Sequence, residues 1–272
     1  MRLASGFQIA FLLLSFEFFV MLAANALAVR IGWPKDNLEL LGQAISVFSA
    51  ATLLVAVPAL RRFCADQLRR PIPRGAFSEV VLVSVAKIAL PFAVLGGVVL
   101  VAFGGGSADQ LSERIRLADP VAAWAWALSS WGLARQVLAC VFGPVIEELA
   151  FRGFLYRAFE QRWGWVRAMV LTSICFGLIH PAHMLSTGLG SVVLICLLRR
   201  TGSLRACIVV HALFNMLVSW PILGQFLFTA PGGDFARLST WSFPVACLVF
   251  TAVALPAYVW MSRVERRSPA AF

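Results

Sequence analysis

Long apolar runs, interrupted by single charges and by Gly or Pro, constrain this chain more than any other feature. Eight of them lie near residues 7–29, 38–60, 79–103, 121–143, 166–183, 185–198, 204–222 and 241–261. About 20 apolar residues in helical form cross a bilayer, and in lipid only helices and closed barrels satisfy the backbone. Composition agrees with the runs: 60% of the 272 residues are hydrophobic and 13% are charged. A soluble domain carries roughly 25% charged residues. This argues against a soluble enzyme, a disordered chain and a disulfide scaffold. The expected fold is all-α, a polytopic integral membrane protein of about eight transmembrane helices. The sixth run is short, and reads as tilted or partly re-entrant. No internal repeat or low-complexity segment is visible.

The formal net charge is +10, with 23 Lys and Arg against 13 Asp and Glu. In a soluble protein that excess points to nucleic acid; in a membrane protein basic loops first report orientation. Counting alternate loops puts sixteen of the 23 on one side and five on the other. The loop 61–74 alone holds Arg61, Arg62, Arg69, Arg70 and Arg74 and reads as lying on the membrane surface. Arg152 is counted in the next loop of that side. Lys87 and Arg135 fall inside apolar runs, where a charge faces the bundle interior or snorkels. The positive-inside rule then expects both termini in the cytoplasm, an anionic-lipid contact and no nucleic-acid partner. Trp33, Trp163, Trp165, Trp220 and Trp241 lie near run ends, as in an interfacial aromatic belt.

Six cysteines (Cys64, Cys140, Cys175, Cys196, Cys207 and Cys247) form no CxxC pair and lie mostly in apolar runs. They read as packing residues. The N-terminus imitates a secretory signal, with Arg2, an apolar run and Ala26-Leu27-Ala28. The run to Val29 is long for such a signal and contains Glu17 and Asn25, which favours an uncleaved first span.

Three constellations of polar residues sit in this apolar background. The first is Glu147-Glu148-Leu149-Ala150-Phe151-Arg152, after Gly143-Pro144, which is expected to break the preceding span and start a new helical segment. On a helix Glu148 and Arg152 are i,i+4 neighbours, while Glu147 is rotated by about 100° and can face another surface. The bland reading is an interfacial helix start with acids at its positive end. The second is Phe176 and His180, one turn apart; the alternative there is a core histidine bonded to a carbonyl. The third is His211 and Asn215, also one turn apart, able to donate together to one anion or to glue helices.

In order and spacing these residues resemble the CPBP family, the CAAX-protease and bacteriocin-processing intramembrane proteases. Its pattern is EExxxR, then FxxxH, then Hxxx(N/D). Glu147, Glu148 and Arg152, Phe176 and His180, and His211 and Asn215 supply all three parts. The resemblance covers roughly 120–222. It implies a CPBP-like catalytic core there; the apolar runs add N-terminal transmembrane helices with a basic cytoplasmic loop over 1–119 and a loop, helix and basic tail over 223–272. It also implies helices enclosing an intramembrane catalytic cavity. The family is similar to type II CAAX prenyl endopeptidases, and bacterial relatives process peptides or act in bacteriocin self-immunity. By this resemblance Glu147 is the general base, His180 orients the water, and His211 and Asn215 bind the oxyanion. Glu148 and Arg152 are a supporting pair, and Phe176 shares the face of His180.

The resemblance implies a membrane-associated peptide or protein substrate and no cofactor or metal. Two Glu and two His could supply zinc ligands, but no HExxH occurs and no His pair lies one turn apart on one helix. Asp109, Asp119 and Asp234 read as loop residues, so an aspartyl site lacks its membrane acids. Gly188-Leu189-Gly190-Ser191 does not match a serine nucleophile motif. A non-proteolytic immunity or scaffold protein of the same fold, and a small transporter using Glu147, Glu148, Lys87 and Arg135, are the competing functions. A bacterial inner membrane is the expected location.

Overall fold

The computed structural model describes residues 57–103, 128–180, 183–219 and 242–263, together with scattered positions between 23 and 52. Most of the first run, the polar loop 104–120, and Trp33, Trp220, Trp241 and the three loop aspartates lie outside them. Among the described residues all regular structure is helical.

Helix α1, Pro58–Arg69, opens with the ring of Pro58 at its first position, where no N–H is needed. Val57 is extended, so the second run ends before residue 60. The helix is amphipathic. Leu60, Cys64 and Gln67 are buried, and Arg61, Arg62 and Arg69 are exposed. Phe63 stacks on Phe154 with ring centroids 4.1 Å apart, which docks α1 on the bundle. Helix α2, Phe77–Phe103, follows a single turn, Arg74–Ala76.

The next path departs from expectation. Helix α3, Ser130–Val137, is capped by the Ser129 hydroxyl accepting from Gly132 N–H. It widens into a π-helical turn over Leu138–Phe142, continues as α4 over Gly143–Glu148, and widens again over Leu149–Leu155. It then enters α5, Tyr156–Leu178. Gly143-Pro144 does not break the span. Gly143 N–H reaches back to the Leu138 carbonyl, and Pro144 has no N–H to offer the Ala139 carbonyl. The wide turn absorbs the proline with helical backbone angles kept at both ends.

The reversal comes at Gly164, with φ 77° and ψ 164°. A straight helix would put Phe151 and Phe176 about 37 Å apart at 1.5 Å per residue. Their ring centroids are 4.8 Å apart, so α5 folds back after Trp163 and runs alongside the wide turn. The fifth run ends at Leu178, five residues before its expected limit.

Helix α6, Met184–Thr201, is longer than the short run it was read from, and Gly202 caps it in the left-handed conformation. Leu194, Ile195, Cys196 and Leu197 have no exposed surface. A helix apolar and buried all round is a central helix. Small residues bring α5 and α6 close: a Cβ on Gly177 would lie 2.7 Å from the Met184 carbonyl, and one on Gly188 3.3 Å from that of Ser173. Helix α7, Leu204–Ser219, and α8, Ser242–Met261, complete the bundle, with α8 lying along α2.

Among the described residues two stretches, Arg74–Val94 and Met184–Thr201, are long and apolar enough to cross a bilayer, and Leu204–Val218 and Ala246–Met261 are shorter apolar helices. Large apolar side chains point outward: Leu82 and Val85 on α2, Ile174 and Leu178 on α5, Val249 and Val253 on α8. Such faces suit lipid rather than water. All six cysteines are free thiols, five of them buried, as packing residues should be.

Candidate active site

Glu147 and Glu148 lie in mid-helix, because the helix that carries them runs on to Trp163. Adjacent positions face different surroundings. Glu148 has no exposed surface; its Oε1 is 3.0 Å from Arg152 Nη1 and 2.9 Å from His211 Nδ1. Arg152, placed in a basic loop by sequence, is instead fully buried. Its guanidinium lies 4.3 Å from the centroid of the Phe176 ring. One flat cation is thus held between a carboxylate and an aromatic face.

Glu147 is partly exposed and turned toward both histidines. Its Oε2 is 3.9 Å from His180 Nε2 and 3.8 Å from His211 Nε2. Its other oxygen lies over Gly143, where a Cβ would be 3.7 Å from it. His180 follows the last turn of α5, and its Nδ1–H donates to the Phe176 carbonyl at 2.9 Å. Each ring therefore spends Nδ1 on an acceptor, the Phe176 carbonyl or the Glu148 carboxylate, and turns Nε2 toward Glu147. Phe176 also stacks against His180 and meets His211 edge-on, with centroids 4.9 and 6.0 Å apart.

Asn215 lies one turn beyond His211. Its Nδ2 donates to the Ala139 carbonyl at 2.8 Å, the carbonyl that Pro144 leaves without a helical donor. At membrane depth an open carbonyl needs such a partner. The amide is oriented by that bond and keeps a second N–H. Glu147, His180, His211, Glu148, Arg152 and Phe176 thus meet in one cluster, with Asn215 anchored beside it at the first wide turn. Among the described residues no three His, Cys, Asp or Glu side chains are grouped to hold a metal ion.

Sequence reasoning set the site on three segments and left out two contributors. One is the Ala139 carbonyl, whose signal is Pro144 five residues later. The other is Lys87 on α2, noted as an intramembrane charge and grouped with Glu147 and Glu148 only in the transporter reading. Its ammonium lies 4.3 Å from the centroid of the ring of Phe214, three residues after His211 on α7.

Residues 129–217 match the family model described as type II CAAX prenyl endopeptidase Rce1-like. This segment is Rce1-like. The match contains all seven motif residues and falls inside the 120–222 core, so the CPBP resemblance is borne out there. Comparison with curated proteins and with solved structures gave no match. The Rce1-like segment spans α3 to α7; α1, α2 and α8 lie outside it. The matched family is one of proteases, and the outward apolar helices suggest a membrane protein.

Proposed function

We propose that the chain is an intramembrane glutamate-dependent endopeptidase that hydrolyses a peptide bond of a membrane-associated substrate. The observation that carries this reading is the convergence of Glu147 Oε2 on two histidine Nε2 atoms at 3.9 and 3.8 Å. Those gaps exceed a direct hydrogen bond, and one water donating at about 2.8 Å to Glu147 Oε2 and to His180 Nε2 fits across the first of them. Glu147 takes a proton from that water while the His180 Nε2 lone pair orients it. The hydroxyl oxygen attacks the scissile carbonyl and forms a tetrahedral oxyanion.

The Nδ1 bond to Glu148 sharpens the role of His211. With Nδ1–H so engaged, neutral His211 accepts at Nε2 and cannot donate there. It becomes an oxyanion donor once the water proton passes from Glu147 to its Nε2. Glu148 then stabilises the imidazolium, as a carboxylate behind a catalytic histidine does. The second N–H of Asn215 is the other donor. From His211 the proton can go on to the leaving amine.

A prenylated C-terminal peptide and a bacteriocin-like peptide both suit such a site, and a bacterial inner membrane with cytoplasmic termini suits the charge distribution. The test is cleavage by purified protein in detergent or vesicles, with comparative peptide profiling of membranes supplying the substrate. Glu147→Ala, His180→Ala and His211→Ala should each abolish cleavage. Full activity in Glu147→Ala would remove the assigned base, and loss of activity to a chelator with recovery on adding zinc would favour a metal mechanism.

A further inference from the structure

Five arginines that the catalytic cluster does not use crowd the link between the second apolar run and α2. Arg61, Arg62, Arg69, Arg70 and Arg74 are all exposed. Arg69 lies 3.7 Å from Asp66, and both of those side chains are more than two-thirds exposed, so the pair is weak. The side chains of the other four make no hydrogen bond, ion pair or ring contact among the described residues. Acids at this end of the bundle are already taken, Glu79 by Arg200 and Glu160 by Arg199. So dense a patch of unmatched cations calls for an anionic partner from outside the chain.

The placement of α1 says which partner. Its twelve residues make a rod about 18 Å long. It follows one apolar run and leads into α2, so both of its ends are tied to apolar segments. It therefore lies along the membrane surface rather than rising from it. Its inner side is fixed on the bundle. Phe63 stacks on Phe154, and a Cβ on Gly153 would lie 3.5 Å from Phe63 Cε1 and 3.7 Å from Leu204 Cδ2. The Ser203 hydroxyl donates to the Arg70 carbonyl at 3.4 Å. Arg205, exposed beside Leu204, brings a sixth arginine to the same level. Phe77, three residues after Arg74, is 72% exposed. An apolar ring beside a row of cations suits the boundary between headgroups and acyl chains, and not a soluble acidic partner. Guanidinium groups match the geometry of phosphate, and a leaflet presents phosphate at this height without any encounter.

We propose that α1, with Arg70, Arg74 and Arg205, is a docking surface for anionic phospholipid headgroups, and that this lipid holds α1 against the wide turn over Leu149–Leu155. Phe63 bears on Gly153 and Phe154, next to Arg152, so cleavage depends on anionic lipid. That consequence rests on the endopeptidase reading; the docking of lipid does not.

The test uses the full chain in bilayers of phosphatidylcholine alone and of three parts phosphatidylcholine to one part phosphatidylglycerol. One variant combines Arg61→Gln, Arg62→Gln and Arg69→Gln. Its charged control combines Arg61→Lys, Arg62→Lys and Arg69→Lys. All three side chains are exposed, so both variants should fold. Amide exchange over 58–70 reads docking without substrate. It should slow several-fold with phosphatidylglycerol in the native chain and the Lys variant, and be the same in both bilayers in the Gln variant. Spin-labelled phosphatidylglycerol should be held more firmly than spin-labelled phosphatidylcholine beside the native chain. That preference should fade in the Gln variant and at high salt. Equal exchange of the native chain in the two bilayers, or a lipid preference unaltered in the Gln variant, overturns the proposal. So does exchange that responds to a soluble polyglutamate peptide and not to phosphatidylglycerol, which gives this face to an acidic protein. Exchange over 149–155 and kcat read the hold on the wide turn. With phosphatidylglycerol the first should slow and the second rise several-fold in the native chain, and neither should change in the Gln variant. Indifference of both to lipid overturns the second half of the proposal. If no peptide is cleaved in either bilayer, the endopeptidase reading fails, while exchange and spin label still decide whether α1 docks on anionic lipid.

Discussion

Arg152 cannot be replaced by another cation without loss, because three things depend on its shape. Its guanidinium neutralises Glu148, lies on the Phe176 face and fills space that no water reaches. Arg152→Met leaves Glu148 buried with only His211, and should destabilise the fold by about 3–5 kcal/mol. Thermal unfolding in detergent would read this. Arg152→Lys should recover little, since an ammonium cannot pair with the carboxylate and stack flat on the ring together. A Met variant as stable as the parent would show that the pair is not a structural charge couple. Asn215 makes a second residue-scale case. Asn215→Leu removes the proposed oxyanion donor and should cost on the order of 10²–10³ in kcat. Pro144→Ala is the subtler probe. It restores an N–H that can bond the Ala139 carbonyl and so release Asn215. The fold should hold, and kcat should fall by about tenfold through misplacement of the amide. Unchanged kcat in Pro144→Ala would break the link between proline, carbonyl and amide.

At the scale of elements, two glycines do opposite work, and alanine separates them. Gly164 reverses the chain at φ 77°, and a Cβ placed on it would have nothing within 4 Å. Gly164→Ala therefore meets no neighbour, and should cost only the backbone strain, about 1–3 kcal/mol, of a conformation open essentially to glycine alone. Its active site should be undisturbed. Gly177 has ordinary helical angles, but a Cβ there lies 2.7 Å from the Met184 carbonyl. Gly177→Ala must push α6 from α5 beside His180, and should lose most of its kcat. Comparing kcat with unfolding temperature in the two variants checks both statements; equal losses of kcat would contradict them. The motif residues on these elements were legible in sequence, because i,i+4 spacing in an apolar run fixes which side chains share a face. The path of the backbone was not. Gly143-Pro144 reads locally as a break, and only the wide turns, a tertiary compromise, let one helix carry Glu147 at mid-length. Arg152 likewise reads as a loop charge until the fold-back at Gly164 brings Phe176 over it. Lys87 was visible as an anomaly, but its neighbours Gly190 and Phe214 lie more than 100 residues away in sequence.

At the scale of the molecule, the end of the bundle opposite the start of α6 is tied by two arginines. Arg199 reaches Glu160 on α5 and the Ser262 carbonyl past α8, and its guanidinium lies 4.5 Å from the Trp165 ring centroid. Arg200 pairs with Glu79 on α2, and the Tyr258 hydroxyl of α8 donates to the same carboxylate at 2.8 Å. Both arginines sit in the last turn of α6, where a cation suits the negative helix end. Through Glu160, Arg199 joins the end of α8, which carries no motif residue, to α5, which carries Phe176. Glu79 is the shared acceptor for α6 and α8, so Glu79→Arg should set two cations against each other and free the end of α8. Hydrogen exchange should then quicken over residues 255–261 and stay nearly unchanged over 147–155. Because α2 also packs against α7, the helix of His211 and Asn215, loosening this junction should also lower kcat, by several-fold rather than completely. The double variant Glu79→Arg with Arg200→Glu restores opposite charges across the junction. It should recover part of the protection and part of the activity, with Tyr258 left to accept in place of donating. Exchange over α8 that is unaltered in Glu79→Arg would show that apolar packing against α2 holds this helix alone, and that the arginine end plays no part in positioning α2.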